Sequence, residues 1–151
     1  ILDKANRPGF LYFTTDWCGP CKGLEKDTFA DSEFKHYLEA HFIPFLVNAE
    51  KNTGPVLNDL YHIAAYPTVV ILSPQGVVVD KITGYDKPEP YLNRLKDVIN
   101  GIDTLAQLRS DYESDHDNET KAVALANRYL SSFDYANAKP ILEKLLTLRQ
   151  I

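Results

Sequence analysis

The first hundred residues alternate short apolar runs with stretches in which apolar residues recur every three or four positions. The short runs are rich in β-branched and aromatic residues, which predicts strands, and the first two are apolar enough to be buried. A Ser-Pro-Gln-Gly turn separates the last two runs, which predicts a hairpin. The predicted strands are 9–14, 43–47, 68–72 and 77–82.

Helical periodicity fills the intervals between these strands and follows the last of them. The predicted helices are 18–27, 32–41, a short helix that starts at Pro55, and a helix that ends at Gly101. We expect the short helix to turn Leu57, Leu60 and Tyr61 inward. The order β-α-β-α-β-β-α predicts an α/β fold, with a mixed four-stranded sheet flanked by helices on both faces.

The pattern becomes wholly helical after Gly101, so we divide the chain into 1–101 and a helical extension, 102–151. Leu105, Leu108 and Tyr112 mark the first helix of this extension. The acidic run 111–119 predicts a solvated loop. Two more helices are expected near 120–133 and 138–150. We predict that the last helix starts at Asn137 or Ala138, because proline, here Pro140, is tolerated only in the first turn of a helix.

Composition describes a globular chain of 151 residues that can bury a core without disulfide staples. A net charge of −5 makes nucleic acid an improbable partner, because phosphate binding depends on clustered Lys and Arg. No apolar window approaches the roughly 20 residues that span a bilayer. The chain starts at Ile1 without a methionine and stops inside an apolar helical pattern, so we expect both ends to be cuts in a longer sequence.

The only two cysteines, Cys18 and Cys21, lie three positions apart where a strand meets a helix. The first turn of a helix offers unpaired N–H groups and the positive end of the dipole, and both favour a thiolate. We expect Cys18 to be the more exposed, attacking sulfur and Cys21 the resolving thiol. Gly19 allows close backbone approach, and Pro20 stiffens the turn.

Three other interpretations compete for the cysteine pair. Zinc needs two more ligands, and the four histidines show no paired spacing. A structural disulfide gains little from closing so short a loop. Two inert buried thiols would not explain the surrounding Trp, Gly, Pro and Lys residues. We therefore expect no metal and no other cofactor.

The run Trp17–Lys22 after an apolar strand resembles the active-site signature of the thioredoxin superfamily, over about 100 residues. The resemblance implies a thioredoxin-like fold in which Trp17 and Lys22 support the cysteines. It also implies that Pro67, in Tyr66-Pro67-Thr68, is a cis-proline facing the active site. The Tyr66 backbone would pair with the substrate, and Gly84 would lie in a third active-site loop.

The run 27–34 is similar to thioredoxin-like domains of bacterial cell-envelope reductases, such as the C-terminal domain of the transmembrane thiol reductant transporter. This likeness favours a periplasmic or envelope location. Relative to the full family fold, the first strand is missing. Tyr12 occupies the position of the family's buried Asp, and Phe45 or a neighbour replaces its partner Lys. Glu25 and Tyr12 are the candidates to replace this acid–base pair. The alternative for Glu25 is a solvated helix residue with no role in the chemistry.

The resemblance implies a protein-disulfide reductase that works by dithiol–disulfide exchange. Its partners would be proteins with disulfides and an electron-donor reductase, and the chain itself would be a monomer. The alternative is a redox-slow binding module that uses its groove and helical tail. That tail loosely resembles a tetratricopeptide-type helix pair. We expect it to pack on the sheet domain, with partner docking as the second possibility.

Overall fold

Four strands form one mixed sheet, in the order β2-β1-β3-β4, in the computed structural model, which describes residues 1–149. β1 pairs with β2 in parallel and with β3 antiparallel, and β3 pairs antiparallel with β4. The predicted mixed four-stranded sheet is therefore confirmed. The strands are β1 Gly9–Thr14, β2 Ile43–Asn48, β3 Thr68–Leu72 and β4 Val78–Thr83.

Helices cover both faces of this sheet and form the whole of the C-terminal extension. They are α1 Leu2–Ala5, α2 Gly19–Leu24, α3 Ser32–His41, α4 Gly54–Leu60, α5 Pro88–Ile99, α6 Leu105–Ser114, α7 Glu119–Ser131 and α8 Tyr135–Leu148. A π-helical turn, Glu25–Phe29, continues α2. Asp31 caps α3 by accepting a hydrogen bond from the Phe34 amide at 2.9 Å.

The prediction that the second strand is buried was wrong. β2 is an edge strand, and the exposed fractions of Phe45 and Leu46 are 36% and 73%. A short apolar run cannot by itself distinguish a central strand from an edge strand. Leu2 and Leu57 line a groove beside Phe45 but leave it open.

The short helix α4 also differs from its prediction at one residue. Leu57 and Tyr61 pack against the apolar cluster on one sheet face, as expected. Leu60 does not, because 63% of it is exposed. At roughly 100° per residue, Leu60 lies on the other side of Leu57 from Tyr61, so it falls at the solvent edge of the helix face that Leu57 and Tyr61 bury.

Two boundaries in the extension were predicted wrongly. α6 continues through Ser114, so the acidic loop is shorter than 111–119. α8 begins at Tyr135, before the predicted Asn137 or Ala138, because the Asp134 side chain caps it by accepting from the Asn137 amide at 3.2 Å. Pro140 lies inside the helix, where it removes one backbone donor and its ring crowds the carbonyl one turn earlier. The predicted helix end at Gln150 lies outside the described residues.

The extension packs against β4, the other edge strand. Asp80 of β4 is fully buried and forms ion pairs with Arg94 of α5 and Arg128 of α7. The next residue, Lys81, is also buried and pairs with Asp134 at 3.1 Å. Within residues 1–149, no helix combines the length and the apolar character that crossing a membrane requires.

Candidate active site

Cys18 and Cys21 form a disulfide at the start of α2, with their Cα atoms 5.3 Å apart. Cys18 has an extended backbone and is the N-cap residue of the helix. Its Sγ accepts a hydrogen bond from the Cys21 amide at 3.2 Å. The sulfur thus occupies the place that an oxygen takes in an ordinary N-cap, where it meets an unpaired donor of the first turn.

Both cysteines are buried in this disulfide form. The exposed fraction is 2% for Cys18 and 0% for Cys21, so the expected difference in exposure is small here. Both belong to the apolar cluster that also contains Phe10 and Leu24. The adjoining Gly19 and Pro20 are exposed, as is Lys22.

The Tyr66–Pro67 peptide bond is cis, as the resemblance implied. The Gly84 amide donates to the Pro67 carbonyl at 2.9 Å, which joins the predicted third loop to the proline loop. Gly84 has φ +100°, a conformation that favours glycine. Thr68 closes the turn by donating from Oγ1 to the Ala65 carbonyl at 2.8 Å.

Trp17 lies between the cysteines and this proline loop. The exposed fraction of its side chain is 66%, and its ring meets the Tyr66 ring edge-on, with centroids 6.0 Å apart. Its Nε1 donates to Glu50 at 2.7 Å. The Tyr66 hydroxyl donates to Asn58 at 2.6 Å. Sequence reasoning missed Glu50 and Asn58, because no local pattern marks loop or helix residues that reach a distant aromatic ring.

Tyr12 lies beneath the cysteine pair, at the position where the related fold carries a buried acid. Its hydroxyl donates to the Glu25 carboxylate at 2.8 Å and lies 3.4 Å from the Cys21 carbonyl. Burial, together with Glu25, raises the pKa of Tyr12 well above its ordinary value. Tyr12 therefore keeps its proton at neutral pH, and the Glu25 carboxylate is the hydrogen-bond acceptor of the pair.

Further charged residues surround Trp17 on the exposed side of the site. Lys51 pairs with Asp16 at 2.5 Å and lowers the pKa of that carboxyl. Within the described residues, no group of three His, Cys, Asp or Glu side chains is placed to bind one metal ion.

A family model described as "Thioredoxin-like domain" matches residues 2–99. The chain belongs to this family. The four-stranded sheet, the Cys18–Cys21 disulfide at a helix start and the cis Tyr66–Pro67 bond agree with that membership. The family and the cysteine pair support a thiol–disulfide oxidoreductase role.

Individual relatives agree with the family assignment. Monothiol glutaredoxin-4 of Saccharomyces cerevisiae is 30% identical over 104 residues, which cover 69% of this chain and 40% of the yeast protein. The thiol:disulfide interchange protein DsbD of Vibrio vulnificus is 28% identical over 66% of this chain and 17% of DsbD. The chain thus spans less than half the length of these curated relatives. The predicted resemblance to cell-envelope reductases is confirmed.

A solved structure is similar over a comparable share of this chain. The solution structure of a candidate disulphide isomerase from Bacteroides thetaiotaomicron is 32% identical, with a TM-score of 0.58. The match covers 65% of this chain and 81% of the Bacteroides protein.

Proposed function

We propose that this protein reduces protein disulfides by dithiol–disulfide exchange through Cys18 and Cys21. The observation that carries the proposal is the hydrogen bond from the Cys21 amide to Cys18 Sγ at the N-cap of α2. A donor aimed at this sulfur stabilises a negative charge on it, and the thiolate is the form that attacks disulfides.

In the first step, the Cys18 thiolate attacks one sulfur of the substrate disulfide. A new bond forms between Cys18 and the substrate, the substrate's own S–S bond breaks, and one substrate thiolate leaves and takes a proton. We assign the Tyr66 backbone, Pro67, Thr68 and Gly84 to holding the substrate chain, with Trp17 at its edge. The packing of Tyr66 on Trp17 supports this assignment.

In the second step, Cys21 loses its proton and attacks Cys18 Sγ. The mixed disulfide breaks, the second substrate thiolate leaves, and the Cys18–Cys21 disulfide forms. Two electrons have then passed from the cysteine pair to the substrate. We assign the proton of Cys21 to Glu25, with Tyr12 as the residue that orients its carboxylate. An external dithiol reductase is needed to return the pair to its reduced form.

The Gly19-Pro20 dipeptide between the cysteines supports the reducing direction, because it is typical of reducing members of the family. Titration of the cysteine pair against a glutathione redox series tests this direction. We expect a potential nearer to roughly −270 mV, as in thioredoxin, than to about −120 mV, as in a strong oxidant. A value at the oxidising end would overturn the reductase assignment and leave the exchange chemistry intact.

Cysteine variants test the exchange chemistry itself. Cys18→Ser is expected to abolish reduction of insulin disulfides, because it removes the attacking sulfur. Cys21→Ser is expected to accumulate mixed disulfides that mass spectrometry detects, because nothing resolves them. Full activity in both variants would contradict the mechanism.

A redox-slow binding module is the second candidate function. It is favoured by one observation, the absence of a buried carboxylate at Tyr12, whose raised pKa prevents it from acting as a base. Under this alternative, wild-type protein would bind clients tightly but reduce insulin no faster than the Cys18→Ser variant does.

A further inference from the structure

A groove of about 440 Å³ runs beside the proline loop and belongs partly to the helical extension. The thioredoxin-like domain contributes Asn58, His62 and Ala64 to its lining. The turn between α7 and α8 contributes Phe133 and Tyr135. The groove is therefore a surface that the sheet domain cannot form without the extension.

Two aromatic residues on the extension's side of this groove are open to solvent. The exposed fractions of Phe133 and Tyr135 are 45% and 60%, and their rings meet edge-on with centroids 6.4 Å apart. Single exposed apolar residues are ordinary, but paired aromatic rings at the rim of a groove are typical of protein contact surfaces.

Buried contacts of Asp134 hold the turn that carries these rings. Asp134, between them, is buried, accepts from the Asn137 amide and pairs with Lys81 of β4. Phe133 has φ +58°, a conformation that bulky residues rarely adopt. Because the backbone is already held in place, a ligand would not have to order this turn on binding.

Asn58 connects the groove to the residues around the active site. This residue lines the groove and also accepts the hydrogen bond from the Tyr66 hydroxyl. Tyr66 in turn packs on Trp17, beside Cys18. Ala64 is three residues from Pro67, so the groove begins within about 11 Å of the proline.

We propose that this groove binds the substrate polypeptide on one side of its reactive cysteine, and that it selects an apolar side chain there. The inference rests on the proposed function, because it takes the substrate to be a polypeptide held at Pro67. With about 3.3 Å per residue of extended chain, the selected side chain lies roughly three to six residues from the cysteine. The aromatic rim favours an apolar occupant.

Matched peptides test the proposal. Each peptide carries one cysteine as a mixed disulfide with thionitrobenzoate, and either Phe or Ser four residues before or after it. The Cys18 thiolate attacks the peptide sulfur, the peptide–thionitrobenzoate bond breaks, and the coloured thiolate is released and measured. We expect the Phe peptide of one of the two series to react about tenfold faster than its Ser partner.

Variants of the reduced protein locate the preference. Phe133→Ser and Tyr135→Ser are each expected to remove most of the tenfold difference between the peptides. Leu146→Ser is the matched control, because Leu146 is an equally exposed apolar residue (64%) on α8 outside the groove lining. It is expected to keep the full difference. Circular dichroism shows whether each variant retains the fold.

A small disulfide separates this inference from the proposed function. Wild-type protein that reacts with dithiobis-nitrobenzoate but treats the Phe and Ser peptides alike would overturn the groove proposal alone. Failure to react with that reagent would overturn the exchange function. Sedimentation of a dimer that Phe133→Ser dissociates would show that a second copy of the chain covers the groove, which would also overturn the proposal.

Discussion

At the scale of single residues, the resolving step depends on which group can accept the proton of Cys21. Tyr12 occupies the position expected for an acid, but burial raises its pKa and its hydroxyl donates to Glu25. Glu25 is exposed and in contact with solvent. Under the proposed mechanism, Tyr12 orients the Glu25 carboxylate, and that carboxylate takes the place of the buried acid.

The first prediction distinguishes these two roles. Glu25→Gln is expected to slow resolution of the mixed disulfide about tenfold at pH 7, because it removes the proton acceptor. Tyr12→Phe keeps the carboxylate and is expected to change this rate less than about threefold. The fluorescence of Trp17, the only tryptophan, reports the rate in stopped flow.

The pH profile controls for simple structural damage. The loss of resolution rate in Glu25→Gln is expected to shrink as the pH rises past the pKa of Cys21, because the thiol then ionises without a proton acceptor. A larger effect of Tyr12→Phe than of Glu25→Gln, at any pH, would contradict the assignment.

The second prediction concerns Tyr91, which is 1% exposed and whose hydroxyl has no hydrogen-bond partner within the described residues. Burial raises the pKa of Tyr91 far above its ordinary value of about 10. The folded protein therefore keeps this proton after the unfolded chain has lost it. Its contribution to stability is fully present below about pH 10 and is lost as pH rises further.

Urea unfolding at several pH values measures this linkage. Above pH 10, the free energy of unfolding is expected to fall less steeply in Tyr91→Phe than in the wild type. The difference between the two slopes is expected to be about 1.4 kcal/mol per pH unit. At pH 7 the substitution is expected to change that free energy by less than about 1 kcal/mol, because no hydrogen bond is lost. Identical alkaline slopes for the two proteins would contradict the account.

At the scale of elements, β4 is the strand that joins the extension to the sheet domain. Asp80 and Lys81 are neighbours on it, so their side chains leave opposite faces of the strand. Asp80 meets Arg94 and Arg128, and Lys81 meets Asp134. We propose that residues 102–149 and the sheet domain unfold together, because buried Lys81 and buried Asp134 lie on opposite sides and pair with each other, and because Arg128 of the extension shares Asp80 with Arg94.

The third prediction tests the pair between Lys81 and Asp134. Lys81→Met leaves the Asp134 carboxylate buried without a cation and is expected to cost about 3–5 kcal/mol of unfolding free energy. Lys144→Met is the matched control, because Lys144 and Asp117 form an exposed pair at 2.9 Å. It is expected to cost less than about 1 kcal/mol. Calorimetry of the wild type should show a single transition; two separate transitions would contradict joint unfolding.

At the scale of the whole molecule, the four strands and the cysteine site could be predicted from sequence because they depend on local signals. The alternating apolar runs predicted all four strands, and Trp17–Lys22 predicted the helix that starts beside Cys18. The exposure of β2 could not be predicted, since burial depends on neighbours that a short run does not specify. Glu50 and Asn58 were missed for the same reason.

The start of α8 shows how tertiary contacts overrule a local rule. Pro140 predicted a later start, yet Asp134 begins the helix earlier, because it is held by both the helix amide and Lys81. The same residue fixes the turn that presents Phe133 and Tyr135. Asp134 therefore both starts the helix whose beginning was predicted wrongly and holds the turn that lines the proposed substrate groove.

The acidity of the Cys18 thiol tests the central claim most directly. In reduced Cys21→Ser protein, the rate of alkylation by iodoacetamide can be followed from pH 4 to pH 10. The claim predicts that the helix N-terminus lowers the pKa of Cys18 to about 7, below the value of about 8.5 for a free cysteine. A pKa of 8.5 or above would contradict it.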